Sequence, residues 1–165
     1  MIINLKTINS FPPVVDQNTE VLILGTMPGA MSLEKQEYYG YPRNQFWKIM
    51  YTLFAELPVA DEFETKIALL QRNNIGLWDV LEACERKGSL DINIKNQTEN
   101  DIRGLLHKHP KIRKILFNGK ESFRFFVKKF GEPMDIEHHV MPSTSPANTT
   151  SFDKKLEAWR TALGK

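Results

Sequence analysis

Val21-Leu-Ile-Leu-Gly-Thr-Met-Pro-Gly29 opens with four apolar residues and stops abruptly at glycine. An unbroken apolar run of that length reads as a strand buried on both faces, as in the middle of a parallel sheet. The Gly25–Gly29 stretch that follows is a loop. Fifteen residues after its last glycine, Asn44 in Tyr41-Pro-Arg-Asn-Gln-Phe-Trp47 opens an amphipathic helix. In an open α/β sheet a strand-end loop of this kind is a ligand site, because backbone N–H groups and helix N-termini converge there. The loop carries Tyr38 and Tyr39 and lacks both the GxxxxGK[ST] and the GxGxxG spacing. A pocket for a flat polar ring is therefore expected rather than a phosphate cradle.

Working outward, three further apolar runs read as parallel strands: Ile75 to Trp78, Ile112 to Phe117 and the weaker Ile136 to Met141. Helical stripes separate them. Phe46, Ile49, Met50 and Leu53 form one, and Phe63, Ile67 and Leu70 a second, with Asp61 as a candidate cap. Thr98 and Asp101 resemble a capping pair before Ile102, Leu105 and Leu106. Phe123, Phe126, Val127 and Phe130 make another stripe. Phe152, Leu156, Trp159 and Leu163 close the chain behind Thr150 or Ser151 as N-cap. Strands alternating with helices predict a parallel sheet covered on both faces. Its strand-end loops, Gly25–Arg43, Asp79–Gln97, Asn118–Lys120 and Pro142–Thr150, should then share one edge. The opening residues with Phe11-Pro-Pro13 read as an extended arm.

The chain has 165 residues, which suits a single domain spanning 1–165. No apolar run approaches the roughly 20 residues of a membrane span, so the cytoplasm is the default compartment and a monomer the expected state. Cys84 is the only cysteine, which excludes an internal disulfide and a cysteine-ligated cluster. His107-x-His109 and His138-His139 lack companions at ligand spacing, so neither a metal nor a cofactor is expected. The net charge is +2, yet residues 103–129 carry +8 and the remainder −6. One-sided positive charge is the footprint of a phosphate-bearing partner, although a solvated helix face would look the same.

Three motifs in order, Gly25-Thr-Met-Pro-Gly29, Tyr38-Tyr-Gly-Tyr-Pro-Arg-Asn-Gln-Phe-Trp47 and Met141-Pro-Ser-Thr-Ser-Pro-Ala-Asn148, resemble the uracil-DNA glycosylase superfamily. The match is nearest to its hypoxanthine (deoxyinosine) branch and runs from about Phe11 to the final helix. The resemblance implies a three-layer α/β/α fold with a central four-stranded parallel sheet. It also implies a DNA partner carrying a deaminated base. Related mismatch-specific enzymes hold a water-handling Asn where this chain has Met27, so the resemblance moves the catalytic role to Asn44. It assigns base binding to Gly25, Thr26, Met27, Pro28, Gly29 and Tyr39, with Tyr39 stacking on the extruded base. It gives the minor-groove loop to Pro142 onward, making Ser143, Ser145 and Asn148 candidate DNA contacts. The histidine of the uracil-specific branch is replaced by Met141, which argues against uracil-only chemistry.

From the residues themselves, Asn44 reads equally as a helix cap. Asn118 and Lys120 read as a turn or as a backbone-phosphate contact. Asp79 can assist the water or merely cap, and Asp91 is similarly open. Hypoxanthine and uracil both present a carbonyl beside a ring N–H, and one side-chain amide reads that pair. No lysine lies in the pocket motifs (Arg43 and Lys48 are nearest), so a monofunctional glycosylase leaving an abasic site is expected. The alternatives are a uracil- or mismatch-preferring glycosylase and a non-catalytic nucleic-acid-binding α/β domain.

Overall fold

The computed structural model describes residues 5–133 and 135–165. Its centre is a four-stranded sheet, all parallel, in the order β3-β2-β6-β7. The strands are β2 (Val21–Gly25), β3 (Ile75–Asp79), β6 (Lys114–Asn118) and β7 (Glu137–Met141). All four runs expected to be parallel strands are present, each with slightly shifted bounds.

Double-sided burial follows from the pleat. Val21 and Ile23 face one hydrophobic core with Leu77 and Leu116, while Leu22 and Leu24 face a second with Ile115 and Phe117. The first core is roofed by α2 (Phe46–Leu53), α3 (Phe63–Arg72) and α6 (Phe152–Leu163). The second is roofed by α4 (Ile102–Lys108) and α5 (Lys120–Phe130). On α5, Phe125 is buried beside Phe126, while Phe123 and Phe130 of the expected stripe are only partly covered.

Two expectations are corrected. The segment Asp79–Gln97 is not a loop: β4 (Leu81–Glu85) and β5 (Lys95–Glu99) form an antiparallel hairpin. The opening segment supplies β1 (Thr7–Asn9) to the same small sheet, in the order β1-β4-β5; residues 1–4 lie outside the described set. Sparse burial hid these strands from a search for apolar runs: β4 buries only Leu81 and Cys84, and β1 and β5 bury no residue. The rest of the arm does run extended, and Val14 exchanges both backbone hydrogen bonds with Leu77 at 2.8 and 2.9 Å. Gly76 permits that approach, since a Cβ there would lie 2.7 Å from the Val14 carbonyl.

Caps are also redistributed. Asp101 caps α4 alone, accepting from the Gly104 N–H at 3.0 Å, and Thr98 belongs to β5. Glu62, not Asp61, precedes α3 and makes no side-chain cap. Ser151 caps α6. The expected first loop contains α1 (Ala30–Lys35).

Candidate active site

The chain leaves β2 toward β3 on one side and later returns to build β6 on the other. The switch point of the sheet therefore lies between the ends of β2 and β6, at Gly25 and Asn118. Gly25 pairs in register with Asp79 at the end of β3. A Cβ on Gly25 would lie 2.5 Å from Asp79 Oδ1 and 3.2 Å from the Tyr39 hydroxyl. Glycine here is thus what lets a carboxyl and a phenol meet at the strand end.

Asp79 is buried, and its Oδ2 has no hydrogen-bond partner among the described residues. Burial, reinforced by the Asp91 charge and only partly offset by Arg86, pushes its carboxyl up to about 7. Burial likewise raises the Tyr39 phenol, which stays protonated, while a hydrogen bond with Asn118 pulls slightly the other way. The Tyr39 ring stacks on Phe46 with centroids 4.1 Å apart, and its backbone is left-handed at φ 54°.

Asn44 stands just before α2 and is half-buried. Gln45 occupies the N-cap position, yet the Asn44 side chain still serves the helix start: its Oδ1 accepts from the Phe46 N–H at 2.9 Å. The capping and functional readings are therefore compatible, because the bond uses the carbonyl and leaves the NH2 donors. Phe46 links Asn44 and Tyr39 directly. Gln45 N–H in turn donates to the Thr144 carbonyl at 3.0 Å, which joins this segment to the Pro142–Thr150 loop.

Asn118 does not face solvent. Its Nδ2 donates to Thr144 Oγ1 and its Oδ1 accepts from Thr144 N–H, both at 3.0 Å. It fastens the loop to β6. Lys120, by contrast, is exposed at the start of α5.

The loop is held by its own turns. Ser143 Oγ accepts from Ser145 N–H, Ser145 Oγ from Ala147 N–H, and Asn148 Oδ1 from Thr150 N–H. From α6, Lys155 donates to the carbonyls of Ser145 (3.2 Å) and Asn148 (2.9 Å), and Trp159 Nε1 donates to Pro142 (3.2 Å). Lys155 is 1% exposed, and burial lowers its ammonium pKa. Lys155 lies three residues after Phe152 and four before Trp159, on the buried stripe of α6, and its charge conceals that position in the sequence.

In the Gly25–Gly29 loop the carbonyls of Gly25 and Thr26 accept from Val80 and Leu81, and that of Pro28 from Arg86 Nη2 at 2.7 Å. Burial raises the Asp91 carboxyl, which the nearby Thr26 side chain partly offsets, and Met27 packs into the second core. Met27 thus reaches the site through its backbone, not its side chain. Among the described residues no group of three or more His, Cys, Asp and Glu side chains is arranged to hold a metal ion. A surface cleft of about 270 Å³ is lined by Phe11–Val14 with Gln36, Tyr38 and Phe63.

The uracil DNA glycosylase superfamily model matches residues 12–163, covering every strand and loop just described except β1. The chain belongs to the uracil DNA glycosylase superfamily. Among relatives in it, the hypoxanthine DNA glycosylase of Methanosarcina barkeri (strain Fusaro / DSM 804) is 38% identical over 153 residues, 93% of this chain and 96% of that one. The protein of the same name from Methanosarcina acetivorans is 40% identical over 149 residues, 90% of this chain and 93% of that one. A solution NMR structure from M. acetivorans, provisionally described as a uracil DNA glycosylase, superposes with a TM-score of 0.83 at 37% identity, covering 96% and 97% of the two chains. The glycosylase-superfamily fold is accordingly the one expected from the motifs.

Proposed function

We propose that this protein is a monofunctional DNA glycosylase that removes hypoxanthine from DNA by hydrolysing the N-glycosidic bond. Uracil and xanthine are secondary candidates. The observation that carries the reading is the Asn44 amide, pinned through its carbonyl beside the Tyr39–Phe46 stack. The names of the two Methanosarcina relatives support the choice of base.

A paired base is out of reach, so it must be extruded into the site, at a cost of a few kcal/mol. Stacking on the free face of Tyr39 returns roughly 1–3 kcal/mol. Bond cleavage leaves negative charge on the departing base, and preorganised N–H donors stabilise it without rearrangement. The Asn44 NH2 and the backbone N–H groups of Thr26, Met27 and Gly29 fill that role. Asp79, with a carboxyl poised near neutrality, is positioned as the base that takes a proton from the attacking water.

The DNA-facing side chains share one logic. Ser143, Ser145 and Asn148 each accept a bond from a backbone N–H, which leaves their O–H or NH2 free to donate. Donors suit phosphate oxygens and minor-groove acceptors. Lys120 adds a phosphate contact, and Asn118 acts indirectly by holding Thr144. Lys155 is no Schiff-base nucleophile, because two carbonyls occupy its ammonium. We place the enzyme in the cytoplasm as a monomeric single domain; no helix of the described residues is long and apolar enough to cross a membrane.

The test uses labelled duplexes carrying hypoxanthine, uracil, xanthine or no lesion, followed by alkaline cleavage of abasic sites. Strand cleavage at hypoxanthine is expected, and its absence on all substrates overturns the enzyme reading. Loss of one donor of this kind costs about 10²–10³-fold in rate, so Asn44→Ala should fall by that much. Wild-type activity in Asn44→Ala removes its catalytic assignment.

A further inference from the structure

The β4–β5 hairpin ends in residues 86–94, which fold over the Gly25–Gly29 loop. Two hydrogen bonds seat it there: Arg86 on the Pro28 carbonyl and Ser89 Oγ accepting from Ala30 N–H at 3.0 Å. Asp91 is half-buried between two exposed neighbours. Those neighbours point outward: Leu90 is 54% exposed and Ile92 84%. Isolated apolar residues on a surface need no explanation, but these are not isolated. Of the six large hydrophobic residues exposed among the described ones, Met31, Tyr41, Leu90 and Ile92 lie on the two segments that frame the site.

The facing loop makes the pattern informative. From Pro142 to Thr150 it offers Ser, Thr, Asn, Pro and Ala, and no bulky apolar side chain. Extruding a base opens a gap between its neighbours, and proteins that unstack a step commonly insert Phe, Leu, Ile or Met there. The small residues of 142–150 cannot fill a base-sized gap. Lys87 and Lys95 at the two ends of the hairpin loop are exposed and suit flanking phosphates rather than an apolar protein face.

We propose that Ile92, with Leu90 beside it, is the wedge that enters the duplex and occupies the space left by the extruded base. The wedge rests on the glycosylase reading above and adds the element that opens the duplex. Its action is specific to paired DNA, because a base already unstacked leaves no gap to fill.

Ile92 is exposed, so Ile92→Ala leaves folding intact and can be compared directly with the wild type. On a hypoxanthine-containing duplex, excision by I92A should fall roughly 10-fold or more, as expected for an apolar side chain that loses its burial. On the same strand unpaired, the rate should stay within about 2-fold of wild type. Ile92→Phe should retain duplex activity, and Ile92→Ser should behave as I92A. Binding to a duplex with a tetrahydrofuran abasic site gives a readout independent of chemistry: I92A should lose its preference for that duplex over an undamaged one. Unchanged duplex excision and unchanged abasic-site preference in I92A overturn the wedge. So does a wild-type dimer in sedimentation that I92A dissolves, since the patch would then be a protein interface. Absence of excision by the wild type on every lesion overturns the glycosylase reading instead, and abasic-site binding still decides the wedge.

Discussion

Asp79 is an acid held far from its ordinary environment. Its carboxyl is held near 7, well above the usual range, chiefly because it is buried. The folded protein therefore binds this proton more tightly than the unfolded chain. Its contribution to stability is greatest at acid pH and declines as pH rises from about 4 to about 7. Asp79→Asn should accordingly melt higher than wild type at pH 8, by roughly 2–4 °C for each kcal/mol relieved, with the gap closing near pH 4. If Asp79 is the water's base, kcat on hypoxanthine DNA rises with pH through about 7. That limb should vanish in D79N together with at least about 100-fold of the rate. A D79N profile that keeps the same limb would remove Asp79 from proton transfer. Asn44 shows the complementary case. Sequence presented capping and catalysis as rivals, whereas the carbonyl serves one and the NH2 remains for the other.

At the scale of elements, the Pro142–Thr150 loop depends on α6. Lys155 and Trp159 are one helical turn apart and hold three of the loop's carbonyls. An ammonium buried without a carboxylate partner costs stability and is retained here for geometry. Lys155→Met keeps the volume and removes the charge, so melting should move by only a few degrees in either direction. The loop should loosen: hydrogen exchange at Ala147 and Thr150 should speed up, and duplex excision should fall about 10-fold. Unchanged exchange in K155M would show that the loop's own turns suffice. The hairpin β4–β5 is the element sequence reading missed. Leu-Glu-Ala-Cys-Glu buries only Leu81 and Cys84, in the core that α4 covers, and Lys-Asn-Gln-Thr-Glu is polar throughout with no buried residue. They never form the apolar run by which the central strands declare themselves.

Over the whole molecule, the basic segment 103–129 is divided between the two edges of the sheet. Lys111, Arg113 and Lys114 precede or begin β6, at the edge of the sheet opposite the site, and Lys128 and Lys129 end α5 at that same far edge. Several are already engaged, Arg113 with Glu20 and Lys114 with Glu137. Of the segment, Lys120 and Arg124 lie toward the site edge, and Arg124 is paired to Glu121 at 2.7 Å. The exposed cations of the site edge come instead from separate places: Arg43, Lys48, Lys87, Lys120 and Lys154. Lys120→Glu should therefore weaken duplex binding several-fold at 0.1 M salt and lower the salt slope by about 1. The double change Lys128→Glu, Lys129→Glu should leave both nearly unchanged. The reverse order of effects would place DNA on the α5 terminus.

Sequence alone determined the parallel sheet and the family. A strand buried on both faces must be apolar throughout, and the three loop motifs are contiguous in the chain. The tertiary structure decided the rest, because side chains distant in sequence meet only through strand register and helix packing. Asp79 reaches Gly25 and Tyr39 across two strands, Asn118 is spent on Thr144, and Lys155 turns inward to the loop. Charge counted along the chain carries no such register, so the basic run did not tell which of its cations stand at the site edge.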